Sequence, residues 1–370
     1  MDICYLHFYI ENAIAWRQWF SERLRFQAVA SQSDYATQTE VLQNGGVRVV
    51  LSSPQTSASP VAHYLQQHPP GVAGIAFWVQ QLETVVAQAL AAGSQLLQPI
   101  TTDPQRPDLR WCQIQGWGHL QHTLIESSRE SRAELVPVPL LSAESHWQFL
   151  RRYGQTSPAQ DFLAIDHVVL NVAAGQLAQA ADWYESALGF SRKQMFSIQT
   201  AYSGLCSQVM VHPQGTAQMP INEPTSSNSQ IQEFLNYNQG AGIQHAALRT
   251  ADIVQAVSTF RQRGVRFISV PLTYYQQLAQ RFDAVPVVID EQAIARQQIL
   301  VDWSPTYPQA LLLQTFTEPI FAEPTFFFEI IERQPYEVAG QQRLVEGFGE
   351  GNFQALFEAI EREQQKRGSL

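Results

Sequence analysis

Cysteine is nearly missing from this chain. Cys4, Cys112 and Cys206 are scattered over 370 residues, odd in number and without a CxxC pair. A disulfide framework or a paired-thiol zinc site is therefore excluded as an organising principle. Three small buried thiols in a reducing compartment are the simpler expectation. Basic charge is also scarce: 23 Lys and Arg stand against 33 Asp and Glu, a formal net charge of −10. Phosphate backbones and anionic membranes both call for a basic face, so neither nucleic acid nor a membrane surface is an expected partner. No apolar run approaches the roughly 20 residues of a spanning helix. The opening segment MDICYLHFYIENAIAW lacks the basic region of a secretory leader. These absences lead to the expectation of a soluble cytoplasmic protein.

What is present is enough chain for two domains, with 45% hydrophobic residues to build a core in each. The organisation shows as internal repetition. HFYIENAIAWRQWF from His7 resembles HVVLNVAAGQLAQAADWY from His167, each a strand-like run passing into a helical pattern with paired aromatics. GIAFWVQQLETVVAQALAAG from Gly74 resembles GIQHAALRTADIVQAVSTFRQRG from Gly242, where Gly93 or Gly264 closes the helix. Four modules follow, each strand, helix, then further strands. The expected fold class is α+β, with paired βαβββ modules forming two open, half-closed β-barrels and helices outside. This arrangement resembles the vicinal oxygen chelate superfamily. The expected domains are 1–133, a linker at 134–160 rich in proline and without a strand pattern, and 161–370. GNFQALFEAIEREQQKRG should end the chain as an amphipathic helix, with Phe353, Leu356, Phe357 and Ile360 on one face.

Glu329 is the most conspicuous residue on physical grounds. It interrupts PTFFFEIIER, a run of bulky apolar residues, and a carboxylate buried there is costly without a cation. His167 in LAIDHVVLNV and His245 in GIQHAALRT occupy similarly apolar strands. Either histidine alone reads better as a hydrogen-bonded core residue, and Glu329 alone could pair with Arg333 or face solvent. Together, in corresponding module positions, they form the two-histidine, one-carboxylate set that leaves three positions of an octahedral metal free. The first half offers His7 and Phe77 at the matching places, with Glu126 the nearest acid, and so is expected to be metal-free. Strand alternation puts Val169 on the face of His167 and Phe327 on the face of Glu329. It pairs Gln314 with Phe316 and turns Asp166 away.

Six stretches in order then carry a closer resemblance: IDHVVLNV, SQIQEFLNYNQGAGIQHAAL, LTYYQQL, LLLQTFTEP, PTFFFEIIER and GFGEGNFQALFEAIEREQ. They resemble the 4-hydroxyphenylpyruvate dioxygenase family. The resemblance implies a reaction of 4-hydroxyphenylpyruvate with O2 giving homogentisate and carbon dioxide, a step that serves tyrosine breakdown or quinone and tocopherol supply. It implies iron(II) held by His167, His245 and Glu329, with the 2-oxo acid of the substrate chelating the metal. It further implies a polar network of Ser207, Asn222, Gln230 and Gln244, with Gln314 close to the iron. Phe316 and Phe327 would sandwich the ring. The last helix would close the pocket with Phe348, Asn352, Phe353 and Leu356, after a hinge at Gly347, Gly349 and Gly351. Gln244 beside His245 requires a bulge. A homodimer or tetramer is implied as well. The departures are Met219 before Pro220, Cys206 beside Ser207, and an unfamiliar stretch RFDAVPVVIDEQAIARQQILVDW.

Three competing readings remain at this stage. A 4-hydroxymandelate synthase would share substrate and iron, but Phe327 stands where that enzyme carries a smaller aliphatic wall. An extradiol ring-cleaving dioxygenase would need an acid-base histidine, for which His212 in VHPQG is the remaining second-half residue. A non-enzymatic binding protein of the same fold would usually lack the triad.

Overall fold

The computed structural model describes residues 1–104, 106–128, 148–149, 159–282, 289–304, 306–338 and 340–368. The first module comprises β1 (Asp2–Tyr9), α1 (Ala13–Leu24), β2 (Gln27–Ser33), β3 (Thr37–Asn44) and β4 (Val47–Pro54). After α2 (Pro60–Leu65) the second module runs β5 (Gly71–Val79), α3 (Leu82–Ala91), β6 (Leu96–Thr102), β7 (Arg110–Gln115) and β8 (Gln121–Glu126). A short strand, β9 (Gln148–Phe149), pairs with β2 at Ala30 and Ser31. It falls inside the segment expected to have no strand; a two-residue pairing carries no alternation for a sequence pattern to reveal. Most of that expected linker lies outside the described residues, as do residues 283–288 of the unfamiliar stretch.

The second half repeats the plan. Its third module is β10 (Ala164–Asn171), α4 (Leu177–Leu188), β11 (Ser191–Gln199), β12 (Gly204–Val211) and β13 (Gln218–Pro224), followed by α5 (Gln230–Asn238). The fourth is β14 (Gly242–Arg249) and α6 (Ile253–Gln262), then two added helices, α7 (Leu272–Phe282) and α8 (Glu291–Gln297), before β15 (Leu300–Ser304), β16 (Tyr307–Phe316) and β17 (Phe327–Arg333). A hairpin of β18 (Pro335–Val338) and β19 (Gln341–Leu344) leads to the terminal helix α9 (Glu350–Arg367). None of the described helices is long and apolar enough to cross a membrane.

Each half forms one mixed sheet. The orders are β6-β7-β8-β5-β1-β4-β3-β2-β9 and β11-β12-β13-β10-β14-β17-β16-β15. In both, the first strands of the two modules pair antiparallel at the centre and are flanked by parallel neighbours. This is the expected arrangement of paired modules, with helices packed on the outer faces. Local chemistry supports it. Asn12, Ser59, Ser229 and Asp252 each accept a backbone N–H at the start of a helix, an N-cap worth about 1 kcal/mol.

The outer faces of the two sheets share one hydrophobic core cluster. Phe8 of β1 meets Phe326 edge-on at 5.1 Å between centroids, and Phe20 of α1 meets Phe328 of β17 at 6.0 Å. Alternation along β17 thus sends Phe328 and Ile330 into the shared core and leaves Phe327 and Glu329 for the opposite face. Phe328→Ala should cost about 3–5 kcal/mol. Because Phe328 is packed by residues of both halves, denaturant unfolding followed separately in each half should show both transitions shifting together. A shift confined to the second half would mean that the cores are independent.

Candidate metal centre

Glu329 on β17 sits beside Ala247 of β14, which in turn sits beside His167 of β10. His245 lies opposite Val169 and beside Phe327. Three central strands therefore bring residues up to 162 positions apart onto one face. His167 and Glu329 are fully buried, and His245 nearly so. The Glu329 Oε2 lies 3.3 Å from His167 Nε2 and 3.6 Å from His245 Nε2. None of these three atoms has a well-formed hydrogen bond. One ligand atom from each residue lies within 4.8 Å of the others, and among the described residues no other His, Cys, Asp and Glu group of three or more does this. Orphaned buried polar atoms aimed at one point suit a divalent cation, which would neutralise the carboxylate and accept both imidazole lone pairs.

Around the triad, His167 Nδ1 donates to Asp166 Oδ1 at 2.9 Å. That bond leaves Nε2 free to face the metal position, the usual carboxylate–histidine–metal relay. Arg333 holds Asp166 by two hydrogen bonds, Nε to Oδ2 at 2.8 Å and Nη2 to Oδ1 at 2.7 Å. Gln314 Nε2 donates to Glu329 Oε1 at 2.8 Å and fixes the carboxylate from the other side.

Residues 164–288 match the Glyoxalase/Bleomycin resistance protein/Dioxygenase superfamily. The 4-hydroxyphenylpyruvate dioxygenase of Caenorhabditis briggsae is 35% identical over 99% of this chain and 92% of its own length. That of Dictyostelium discoideum is 33% identical over 98% of both. This chain belongs to the 4-hydroxyphenylpyruvate dioxygenase family. Among solved structures, a mutant of 4-hydroxymandelate synthase from Streptomyces coelicolor superposes with a TM-score of 0.83, at 26% identity and over 98% of both chains.

Beside the triad, the family's half-barrel encloses a cavity of roughly 430 Å³, counting its opening to solvent. Val169, Ser207, Asn222, Gln230, Gln244, His245, Phe327, Phe353 and Leu356 line it. Ser207 and Asn222 are register partners on β12 and β13. The Ser207 hydroxyl and Gln230 Oε1 are buried without hydrogen-bond partners. The Gln244 puzzle has a structural answer. A register shift between Val169 and Leu170 leaves Gln244 as the extra residue of a bulge, so it and its neighbour His245 both reach the cavity.

Other expected residues lie elsewhere. Phe327 stacks on His245 at 4.8 Å and 18°, while Phe316 meets Phe327 edge to face at 79° and is not on the cavity wall. The two rings make a corner rather than parallel plates. Phe348 packs on His167 at 5.0 Å, and Asn352 Nδ2 donates to Gln314 Oε1 at 2.7 Å. Both sit on the metal side of the site and not on the cavity wall. Gly349 caps α9 at φ 75°, where a Cβ would strike Gln314. His212 lies near the N-terminal amine and Phe190, away from the triad. Phe196, Ile198 and Leu205 also line the cavity; their apolar character carried no signal that set them apart from core.

Register corrects the first-half correspondence. The same two shifts occur in β1 against β5 as in β10 against β14, and they align Tyr5 with His167, Gly74 with His245 and Thr123 with Glu329. His7 matches Val169 instead. The sequence match set histidine against histidine, two residues out of the register that the strands adopt. The Tyr5 hydroxyl hydrogen-bonds Thr123 where two ligands stand in the other half. Glu126 pairs with Arg110 at 3.1 Å.

Burial opposes charge on His167, but the carboxylates of Glu329 and Asp166 outweigh it and raise its pKa to about 9. For Glu329 burial acts upward, and the two imidazoles overcome it, giving about 2. His245 is shifted down, chiefly by burial. Without metal, His167 therefore holds a proton at neutral pH, and a cation must displace it. Apparent divalent-metal affinity should rise with pH toward about 9, by about tenfold per unit for one proton released. Titration calorimetry with cobalt(II) at pH 6.5 and 8 checks this, and equal affinities would contradict it.

Proposed function

We propose that this chain is an iron(II)-dependent dioxygenase that converts 4-hydroxyphenylpyruvate and O2 to homogentisate and CO2, by oxidative decarboxylation, ring hydroxylation and side-chain migration. The observation that carries the reading is the convergence of three unsatisfied ligand atoms at one end of an aromatic-walled cavity. His167, His245 and Glu329 would hold the iron, which when bound supplies the redox chemistry of oxygen activation. The three coordination positions left open suit the two oxygens of a 2-oxo acid and O2.

The protein's own work is placement and exclusion of water. Phe327 offers one aromatic face to the substrate ring and holds the His245 imidazole by stacking. Ser207, Asn222, Gln230 and Gln244 would receive the polar end of the substrate, the first three on β12, β13 and the start of α5. Gln314 orients the Glu329 carboxylate, and Asn352 orients Gln314. Phe353, Leu356, Phe357 and Ile360 put the apolar face of α9 across the cavity, where it keeps bulk water out.

The proposal carries its domain division with it: a metal-free first domain at 1–133, a linker at 134–160 and a catalytic domain at 161–370. Every triad and cavity residue lies within the last of these. It also carries a homodimer or tetramer and a cytoplasmic setting. The related 4-hydroxymandelate synthase activity is the second reading, prompted by the structural neighbour. The bulk of Phe327 against His245 favours the first.

The test is the product formed from 4-hydroxyphenylpyruvate by the iron-loaded protein. Homogentisate is expected, and hydroxymandelate as the main product would overturn the reading. Glu329→Gln keeps the shape of the side chain but removes the anionic ligand. Turnover should fall by on the order of 100-fold or more, about 2.7 kcal/mol of barrier. A near-normal rate with bound iron would rule Glu329 out as a ligand.

A further inference from the structure

Arg333 has no part in the family-derived site, yet it bonds both Asp166, the partner of His167, and the turn that leads into α9. It is a buried guanidinium on β17, four residues after Glu329. One edge of its fork serves Asp166 with two hydrogen bonds, and Asp166 in turn sets His167 through Nδ1. Its remaining nitrogen, Nη1, donates to the carbonyls of Val345 and Gly347 at 3.1 and 2.7 Å. Those carbonyls belong to the turn that leads into α9. The guanidinium also lies 5.9 Å from the ring centroid of Phe348, the residue that packs on His167. From the other side, Gln314 Nε2 divides its two protons between Glu329 Oε1 and the carbonyl of Phe348 at 2.9 Å. The hinge of α9 is thus bonded to His167 through Arg333 and Asp166, and to Glu329 through Gln314 alone.

We infer that Arg333 is a positioning residue that couples occupation of the metal centre to closure of α9 over the substrate cavity. A cation at the triad fixes His167 and Glu329, and so fixes the partners that the turn at 345–348 must hold. The coupling is reciprocal, so a closed α9 must favour metal by the same factor. A planar fork is needed for this. A lysine ammonium could keep the charge opposite Asp166 but could not bond both carboxylate oxygens and two carbonyls at once. The device would also order events, since an empty triad leaves the lid loosely held and the cavity open.

The inference rests on the triad binding a divalent ion, and the experiment separates the two. Cobalt(II) is titrated and followed by its visible absorption, with hydrogen exchange of residues 350–367 measured before and after. In the unaltered protein the metal should slow exchange in the first turns of α9. In Arg333→Lys the affinity should fall by about tenfold or more, and the metal should no longer slow α9. If Arg333→Lys does not fold, Glu361→Gln serves instead. Glu361 accepts from Thr200 and Ser203 at the far end of α9, at 2.7 and 2.5 Å. Loosening the helix there should also weaken cobalt(II) binding, because the coupling runs both ways. Absence of cobalt(II) binding would defeat the metal reading itself. Binding without slower exchange in α9, or wild-type affinity and protection in Arg333→Lys, would defeat the coupling. Unchanged affinity in a Glu361→Gln protein with a loosened α9 would do the same.

Discussion

A buried carboxylate that no arginine or lysine among the described residues pairs with is the constraint around which the second half is built. Glu329 is fully buried on a strand whose neighbours are phenylalanines and isoleucines. Leaving such a charge unpaired in an apolar interior costs several kcal/mol. Arg333 is near in sequence but is committed to Asp166. What remains for Glu329 is a shared proton with His167 or a metal ion held with both histidines. The architecture that places Glu329 therefore also sets where a metal ion could be held, and the pocket beside it follows from which strand faces point the same way.

Two irregularities make this possible. A regular pairing of β10 with β14 would turn Asp166 and Gln244 away from the partners they serve. The shift between Ile165 and His167 lets Asp166 reach the ring of its own neighbour, and the shift beside Leu170 lets Gln244 and His245 share the cavity. Bulges increase local twist and re-aim side chains, at the expense of a ladder bond. The same two shifts persist in the first half, where the described residues hold no metal-ligating triad. They belong to the paired-module fold, and the site makes use of them.

How far the sequence could be read follows from this. The four modules, the triad and the amphipathic final helix were legible because each leaves a periodic or chemical anomaly: repeated strand–helix runs, a charge in an apolar strand, an apolar stripe. Gln244 could be flagged as inconsistent with regular alternation, but the bulge that reconciles it depends on pairing register. The Asp166–Arg333 pair was not legible, because an Asp beside a His and an Arg at a strand end look like solvent-facing residues until two strands meet. The corner made by Phe316 and Phe327 is a matter of ring angle, on which spacing is silent. The first-half correspondence failed because it set His7 against His167, whereas strand register, on which the sequence is silent, puts Tyr5 there.

The corrected correspondence shows what fills the place of the triad in the first half. Replacing a metal site demands that every buried polar atom find another partner. Here Gly74 takes the place of one histidine and adds no polar group. Tyr5 takes the place of the other, and its hydroxyl bonds Thr123, which stands where Glu329 does. Two neutral partners and a glycine close the position without a charge, while Tyr5 and Ala76 join a small apolar cluster of their own. A neutral pair in the interior avoids the desolvation that a carboxylate incurs. The first half can therefore serve as packing partner for β17 through Phe8 and Phe20, and the buried carboxylate of the triad belongs to the second half alone.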